Sequence, residues 1–407
     1  MAVLQSLLGI LVIIGFGWLI SLNRKQIRWR PVLMGLVLQW LLALLVLKTP
    51  MGEEFFDGAQ RLFKGLINVA KLGAKEVVGS SGLGLEGTAP MLALLILVTV
   101  IFFSSLFSIL HHLGVVRLIV GGMAKVMARL MGTSGAESTS AAANIFVGQT
   151  EAPLLVRPYL PTMTRSEIGA IMTVGFATVA GGVFALYVGM LQDTVPGIAG
   201  HLLAATVMSA PVGLGFAKLV FPETEEPQTL GKDVTQPESE YANLVDAAAS
   251  GAADGMRLAL NIIGMLIAFL GLLELVNWIL DWLWDGQTLQ NLLGYVMAPV
   301  AWLLGVPMHE ARDVGTLLGV KIAVNEYIAY GDLMSEDLAG LSDRSRIIAS
   351  YALCGFANFS SIAIQIGGLG GMAPKRRGEI SSLGLRAMAA GACASFLTAA
   401  TAAIFLG

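Results

Sequence analysis

The sequence predicts an all-α polytopic membrane protein, and three observations support this fold class. Of the 407 residues, 56% are hydrophobic and only 13% are charged, whereas a soluble domain has about 25% charged residues. Apolar stretches of about 20 residues, long enough to cross a bilayer, recur along the chain. The 48 glycines suit close helix packing and interrupted helices. Such a chain has room for about eight to ten spans once loops are allowed for. Taken in order, its segments predict eight spans, two re-entrant hairpins, an interfacial amphipathic helix and an inverted repeat.

The N-terminal part predicts three spans and the interfacial helix. Residues 2–21 form an apolar segment that is typical of a retained span rather than a signal peptide. The basic loop at 24–30 is cytoplasmic under the positive-inside rule, which puts the N-terminus outside. The return span is 31–48 and the third span is 90–110. Between them, residues 53–78 carry apolar and charged side chains at helical spacing, which predicts a helix lying at the membrane interface.

The region from 115 to 161 predicts the first re-entrant hairpin. Two helical stretches meet there at residues 132–135, and together they are too short and too polar for two full crossings. Such backbone is tolerated at membrane depth only where it lines a protein-buried or watery site. Residues 167–191 and 196–221 then form two spans. The first of them contains a run of small residues at 175–183 that we expect to unwind.

An acidic segment with three prolines, residues 222–255, predicts a linker. A long span at 256–283 follows and ends among tryptophans, which are typical of a membrane interface. Residues 289–330 predict the second hairpin, broken near 305–307. The last two spans are residues 347–372 and 380–406. We expect the final span to leave the C-terminus outside.

Two carboxylates stand out in these apolar surroundings. Glu151 lies in the polar stretch Asn144–Pro153, and Glu326 lies in the stretch Gly319–Tyr330. An ionisable side chain at membrane depth costs several kcal/mol unless it faces a partner or a watery cavity. We therefore expect Glu151 and Glu326 to face one cavity and to be functional.

Each carboxylate also has a purely structural alternative. Glu151 could be paired with Arg157 or Lys125. Glu326 could be paired with Lys321, which lies five residues earlier in the sequence. These alternatives predict ion pairs rather than ligand contacts.

Two parts of the chain repeat the same order of features: hairpin, carboxylate, Arg-Ser, Gly-Phe-Ala, span and span. The landmarks are Glu151 and Glu326 (326 − 151 = 175), Arg165-Ser166 and Arg344-Ser345 (344 − 165 = 179), and residues 175–177 and 355–357 (355 − 175 = 180). Counting the crossings between the two Gly-Phe-Ala motifs gives opposite directions across the membrane, so the repeats are predicted to be inverted. Inverted repeats with broken helices place substrate and coupling ions near the midplane. The pattern therefore indicates a secondary transporter.

The repeat divides the chain into four parts. Residues 1–114 hold the N-terminal scaffold spans and the interfacial helix, and 115–221 hold the first repeat. Residues 222–285 hold the acidic linker and a long scaffold span, and 286–407 hold the second repeat.

The motifs at 148–153, 319–330 and 355–361 resemble the signatures of the concentrative nucleoside transporters, and the resemblance covers essentially the whole chain. It implies a homotrimer in which a transport domain, formed by the two repeats, moves, elevator-like, against a scaffold. It also implies import of nucleosides across a bacterial inner membrane. Pyrimidine nucleosides such as uridine are the expected substrates, with purine nucleosides as a further candidate, and a sodium gradient is the expected driving force.

The resemblance also implies the site residues. The base is expected to meet Gln149, Thr150, Glu151 and Val183, and the ribose to meet Glu326, Asn358 and Ser361 with Phe356 packing beside the nucleoside. Sodium is expected at oxygens of Asn144, Val147, Thr178 and Val179. The residue types fit this chemistry, because carboxylates and amides bind ribose hydroxyls and base edges. Carbonyl and hydroxyl oxygens suit a hard cation.

Three alternatives remain open. A proton gradient could replace sodium, since some bacterial members of the family use protons. An intramembrane hydrolase could use Glu151 and Glu326 as an acid–base pair, and a channel or membrane scaffold would need no saturable site. We expect a transporter and not an enzyme, with sodium as coupling ion and no other cofactor. A net charge of −3 gives no reason to expect a nucleic-acid partner.

Overall fold

Helices make up nearly all of this computed structural model, which describes residues 2–79, 92–232, 234 and 241–406. In chain order the α-helices are α1 Ala2–Leu19, α2 Trp29–Lys48, α3 Pro50–Val78, α4 Leu92–His112, α5 Val115–Met127, α6 Gly135–Ala143, α7 Arg165–Ala177, α8 Gly181–Leu191, α9 Ile198–Val220, α10 Leu244–Leu283, α11 Leu289–Leu303, α12 Ala311–Ala323, α13 Glu326–Leu333, α14 Asp343–Leu353, α15 Phe359–Met372 and α16 Arg377–Phe405. A π-helical turn at Ala128–Gly132 extends α5, and a 3-10 segment runs over Ala152–Thr162. The predicted all-α class is confirmed.

Seven helical segments of the described chain are long and apolar enough to cross a membrane, by length and composition. They are Ala2–Leu19, Trp29–Lys48, Ala93–His112, Arg165–Leu191, Ile198–Val220, Leu244–Leu283 and Pro374–Phe405. The eighth expected span, 347–372, is divided between α14 and the shorter apolar helix α15. The protein is therefore a multi-pass membrane protein with an interrupted helix in that position.

Helix α3 has the amphipathic character that the sequence predicts. Its N-cap Thr49 accepts a hydrogen bond from the amide of Gly52, and Pro50 occupies the first turn, where a missing N–H costs nothing. The apolar stripe faces inward, since Ile67 is buried and the ring of Phe63 packs against Phe184 of α8. The opposite face carries the charged residues. The stripe therefore joins α3 to the helices of the first repeat.

Both repeats fold into the same order of elements. The first repeat runs from α6 through the 3-10 segment to α7, α8 and α9, and the second runs from α12 through α13 to α14, α15 and α16. Each repeat breaks a helix at its Gly-Phe-Ala motif, between α7 and α8 and between α14 and α15. The predicted unwinding within residues 175–183 is thus confirmed at 178–180.

In each repeat, a side-chain hydrogen bond joins the starts of two helices at the base of the hairpin. In the first repeat, the hydroxyl of Ser134 donates to Glu167 Oε1 at 2.5 Å. In the second repeat, the hydroxyl of Ser342 donates to Glu310 Oε2 at 2.8 Å. Each bond links the start of the first hairpin helix to the start of the helix after the hairpin. The two repeats therefore share a polar contact as well as their order of helices.

A buried ionic cluster further fixes the base of the first hairpin. The ammonium of Lys218, on α9, lies 2.6 Å from Glu137 Oε2 and 3.4 Å from Glu223 Oε2. It also donates to the Ser166 hydroxyl at 2.9 Å. A buried ammonium is tolerated only when paired and hydrogen-bonded in this way. The cluster therefore holds α6, α7 and α9 together at one end.

Each hairpin region contains two reversals. The predicted breaks at 132–135 and near 305–307 are present, and the helices on either side of them pack together, α5 with α6 and α11 with α12. A second reversal follows each break, where α6 packs against Ala152–Thr162 and α12 packs against α13. Hairpin here denotes these second reversals, whose tips, residues 144–151 and 324–325, carry the carboxylate motifs.

The acidic linker is shorter than predicted. Helix α10 begins at Leu244, twelve residues before the expected span at 256, so the last part of the segment 222–255 is helical. The reason is local: Asn243 caps the helix by accepting bonds from the amides of Val245 and Asp246, and the following alanines favour helix. Residues 233 and 235–240 of this linker lie outside the described chain.

The packing of α1 and α2 joins them to the repeats. Both helices contact α16 and α9. In the interior, Gln39 of α2 donates to the hydroxyl of Thr398 at 2.8 Å, and that hydroxyl lies 3.0 Å from Ser209 of α9. By contrast, α10 packs mainly along α4. Helix α4 in turn packs against α8 of the first repeat, so α10 is connected to the repeats mainly through α4.

Substitution of Gly355 by alanine is expected to destabilise the fold by about 2 kcal/mol. Gly355 has a φ of +135°, and a Cβ there would lie 2.8 Å from the carbonyl oxygen of Phe176. The two broken helices touch at this point. Thermal unfolding of the purified protein would measure the loss. Gly371→Ala is the matched control, since a Cβ on Gly371 meets nothing within 4 Å, and an unchanged melting temperature in Gly355→Ala would contradict the prediction.

Candidate functional site

The tip of the first hairpin lies against α15. The amide of Gln365 donates to Gln149 Oε1 at 2.8 Å and to the carbonyl of Met172 at 3.1 Å. Gln149 and Gln365 are both buried. One turn further along, Thr150 packs over Gly368, where a Cβ would come within 3.0 Å of its methyl group. The first repeat thus places its polar tip on a helix of the second repeat.

One face of α15 carries all of these contacts. Ser361, Gln365 and Gly368 follow the N-cap Asn358 at steps of three, four and three residues, which places them on one side of a helix. Ser361 and Gln365 are 3% and 1% exposed. From Asn358 to Gln365 the helix rises about 10 Å. The face therefore offers polar groups at two ends of a strip comparable in length to a nucleoside.

Glu326 is held at the N-terminal end of this strip. The Tyr187 hydroxyl donates to Glu326 Oε1 at 2.7 Å, and the Asn358 amide donates to Oε2 at 2.9 Å. Tyr187 belongs to α8 of the first repeat, whereas Asn358 caps α15 of the second. A carboxylate has about four lone-pair sites, and these two bonds fill two of them. Glu326 can therefore accept further hydrogen bonds from a ligand.

Asn358 has a structural role as well as its contact with Glu326. Its Oδ1 accepts bonds from the amide of Ser361 at 2.8 Å and from the hydroxyl of Ser360 at 2.7 Å. The oxygen thus caps α15, while the amide nitrogen orients the carboxylate. One side chain ties the helix break to Glu326.

Glu151 is exposed at the tip of the first hairpin. Its Oε1 accepts a hydrogen bond from the Thr150 hydroxyl at 3.0 Å. Its Oε2 folds over Gly148, where a Cβ would lie only 2.2 Å away. Within the described part of the chain, no ion pair joins Glu151 to Arg157, so that pairing has no support. Its open carboxylate is available to a ligand.

Glu151 and Glu326 make no direct contact in the described structure. Both tips instead reach α15, through Gln149 to Gln365 and through Glu326 to Asn358. A cavity shared by the two carboxylates stays a prediction. The two remaining expected residues flank this region: Val183 lies in the first turn of α8, 5% exposed, and Phe356 lies half-buried in the break before α15.

The predicted cation ligands meet where the first hairpin touches the break between α7 and α8. The Asn144 amide donates to Thr178 Oγ1 at 2.7 Å, and that hydroxyl donates to the Val174 carbonyl at 3.0 Å. Asn144 Oδ1 is buried and has no hydrogen-bond partner among the described residues. Val147 lies on the same tip and Val179 in the same break. A buried orphan oxygen beside a hydroxyl fits an oxygen-liganded cation.

Lys321 does not form the ion pair that the structural alternative predicted. Its ammonium donates to the Ala352 carbonyl at 2.7 Å and lies 5.7 Å from the centre of the Phe396 ring. Among the ion pairs of the described residues, none joins Lys321 to Glu326. Lys321 is fully buried. Its ammonium therefore satisfies a carbonyl group in the last turn of α14 rather than the Glu326 carboxylate.

Two residues of the site were not predicted from the sequence. Tyr187 is four residues after Val183 on α8, and Gln365 is four residues after Ser361 on α15. Each is therefore on the same helix face as a predicted residue. Extending the predicted residues by one helical turn would have found both.

Comparisons with known proteins agree along the whole chain. The family described as "Na+ dependent nucleoside transporter N-terminus" matches residues 8–81, and "Na+ dependent nucleoside transporter C-terminus" matches residues 201–403. Between them, the family described as "Nucleoside recognition" matches residues 93–194. The three matches cover both repeats and the N-terminal helices.

Individual relatives and a solved structure also match nearly the full length of this chain. "Uncharacterized transporter YutK" of Bacillus subtilis is 43% identical, over 100% of both chains. "Nucleoside permease NupC" of Helicobacter pylori is 37% identical over 99% of this chain and 98% of that protein. "Sodium/nucleoside cotransporter 1" of Homo sapiens is 38% identical over 98% of this chain and 63% of that protein. The structure of CNTnw in an inward-facing substrate-bound state has a TM-score of 0.91 at 41% identity, covering 100% of this chain and 98% of that chain.

Proposed function

The chain belongs to the concentrative nucleoside transporter family, and on this basis we propose that it imports nucleosides by sodium symport. The family consists of nucleoside transporters and not of enzymes, so the intramembrane hydrolase is not pursued. Pyrimidine nucleosides such as uridine are the proposed substrates, with purine nucleosides as a further candidate. The proposed membrane is the bacterial inner membrane, with both termini outside.

The position of Glu326 carries the proposal. Its buried carboxylate is held by Tyr187 from one repeat and Asn358 from the other. A ribose offers neighbouring hydroxyl donors, and a carboxylate whose lone-pair sites are not all filled accepts them. Because the partners come from both repeats, a bound ribose would depend on how the repeats sit against each other. That dependence suits a site exposed alternately to the two sides of the membrane.

The other end of α15 supports a base-binding role. Gln149 and Gln365 form an amide pair there, and Glu151 adds an exposed carboxylate. A pyrimidine base presents N–H donors and carbonyl acceptors, which amide and carboxylate groups match. Phe356 and Val183 would provide apolar contact with the faces of the base and sugar.

The orphan oxygen of Asn144 supports sodium as the coupling ion. Asn144 and Thr178 lie at the contact between the hairpin tip and the broken span, and Asn144 is five residues before Gln149 in the chain. A cation bound there would fix the tip in place and thereby organise Gln149 and Glu151. Sodium would then favour nucleoside binding by ordering the site before the substrate arrives. The name of the human relative, a sodium/nucleoside cotransporter, is consistent with this coupling.

The contacts also suggest which parts move. We assign α1 and α2 to the moving body in place of the scaffold expected for residues 1–114, because the hydrogen bond from Gln39 to Thr398 ties α2 to α16. Helices α4 and α10 would form the fixed part. Only 17% of the apolar window of α10 is buried, against 89% for Ile198–Val220. The open face of α10 is therefore available to lipid and to the other subunits of a homotrimer.

Uridine is expected to accumulate in proteoliposomes when an inward sodium gradient is imposed. The comparison is choline at equal pH, with a proton gradient applied in a separate arm. Sodium-driven accumulation of radiolabelled uridine supports symport at the Asn144 site. Accumulation driven only by protons would keep nucleoside transport and reject sodium coupling. No accumulation of any nucleoside under either gradient would contradict the proposed function.

A further inference from the structure

Two helix C-termini meet at the hairpin of each repeat. In the first repeat, α6 and α7 end beside each other, and their C-cap side chains, Asn144 and Thr178, are hydrogen-bonded. In the second repeat, α12 and α14 end in the same arrangement. There the contact is made by Lys321, in the last turn of α12, and the carbonyl of Ala352, in the last turn of α14.

Such a junction attracts a positive charge. Each helix C-terminus carries unsatisfied carbonyl groups equivalent to roughly half a negative charge. Two of them side by side produce a negative potential, and burial away from water strengthens it. A cation at the junction would offset this potential in either repeat.

The two repeats differ in where that cation can come from. The last turns of α6 and α7 are Ser140–Ala143 and Val174–Ala177, which contain neither lysine nor arginine. This junction instead leaves Asn144 Oδ1 buried and without a partner among the described residues. In the second repeat, a fully buried lysine already donates to the junction at 2.7 Å.

We propose that the ammonium of Lys321 is the built-in equivalent, in the second repeat, of the cation that the first repeat takes from solution. The inference rests on the proposed cation site at Asn144 and Thr178. It adds to the proposed sodium coupling, because Lys321 already fills the second junction and only the first junction takes a cation from solution. The pair of junctions therefore uses one mobile cation for each transport cycle.

The neighbours of Lys321 favour this role over that of a counter-charge for Glu326. The Glu326 oxygens are held by Tyr187 and Asn358, and the ammonium is directed at the Ala352 carbonyl instead. The Phe396 ring lies over the ammonium and adds a favourable cation–π contact.

The test uses the purified full-length protein and its melting temperature in increasing sodium or methylammonium, with N-methylglucamine keeping the ionic strength constant. Lys321→Ala removes the charge and leaves space, whereas Lys321→Met removes the charge and fills the space. We expect both variants to melt about 5 °C or more below the wild type. Methylammonium, the end group of the lost side chain, should restore Lys321→Ala and leave Lys321→Met unchanged. Lys375→Ala, at an exposed lysine, is the control and should melt like the wild type.

Two double variants separate this inference from the proposed function. In Lys321→Ala with Thr178→Val, the sodium response should disappear while the methylammonium response persists. A wild type without any sodium response would reject sodium coupling, and restoration of Lys321→Ala by methylammonium would still support the inference. Lys321→Met with Glu326→Gln should melt below Glu326→Gln by the same margin as Lys321→Met melts below the wild type. Loss of that margin would instead show that Lys321 serves Glu326.

Failure of methylammonium to raise either the melting temperature or the yield of folded Lys321→Ala would overturn the inference. A wild-type melting temperature for Lys321→Met would overturn it as well. If Lys321→Ala folded only when purified in methylammonium, this result would support the inference.

Discussion

Glu326→Gln is expected to lower uridine uptake by at least about 100-fold, because hydrogen bonds to a charged acceptor contribute about 1.5–3 kcal/mol each. A glutamine replaces one carboxylate oxygen with an amide NH2 group, which is a donor. That NH2 group would face the Tyr187 hydroxyl or the Asn358 amide, both of which are donors to Glu326 here. The variant would therefore lose one acceptor oxygen and the negative charge, and would disturb the groups that position the remaining oxygen. Initial rates of sodium-driven uptake in proteoliposomes measure the effect.

The fold of the Glu326→Gln variant should survive. Glutamine has nearly the same shape as glutamate, and burying a neutral group costs less than burying a charge. Its melting temperature is therefore expected to equal or exceed that of the wild type. Glu336→Gln makes the same chemical change at an exposed position of the following 3-10 turn and should transport normally. Wild-type uptake by Glu326→Gln would remove Glu326 from the proposed site.

The sequence predicts much of this arrangement because membrane depth makes polar residues conspicuous. Glu151, Glu326 and Asn358 were identifiable as an amide and two carboxylates among apolar neighbours, where an unpaired polar group is costly. The register of three landmarks predicted the repeat, and the order of helices confirms it. In such surroundings, composition and spacing carry more information than they do in a soluble protein.

Other features depend on contacts between distant segments. Tyr187 has an ordinary apolar setting in the sequence, and only the approach of α8 to the second hairpin brings it to Glu326. Lys218 is one basic residue near the end of a span, a position typical of interfacial lysines. The structure buries it because Glu137 and Glu223, from two separate segments, converge on it. The spacing of these residues in the sequence does not show that they come together in the fold.

Thr178→Val is expected to raise the sodium concentration for half-maximal uptake by about 50-fold, since loss of a hydrogen-bonding or ligand group at a charged site costs about 1.5–3 kcal/mol. Valine keeps the shape and removes the hydroxyl that bridges Asn144 and Val174. The amide of Asn144 would then lose its partner, and the orphan oxygen beside it would lose its orientation. Uptake measured at saturating uridine over a range of sodium concentrations gives the shift.

Thr173→Val is the matched control for this change. Thr173 lies on the same helix, is fully buried, and its hydroxyl has no hydrogen-bond partner among the described residues. Removing an unsatisfied buried hydroxyl should leave the sodium dependence unchanged and the stability equal or higher. Thr178→Ser keeps the hydroxyl and should stay within a few-fold of the wild type. If Thr178→Val and Thr173→Val showed the same sodium dependence, the coupling cation could not lie at the junction of α6 and α7. The one-cation arrangement inferred from Lys321 would then lose its first site.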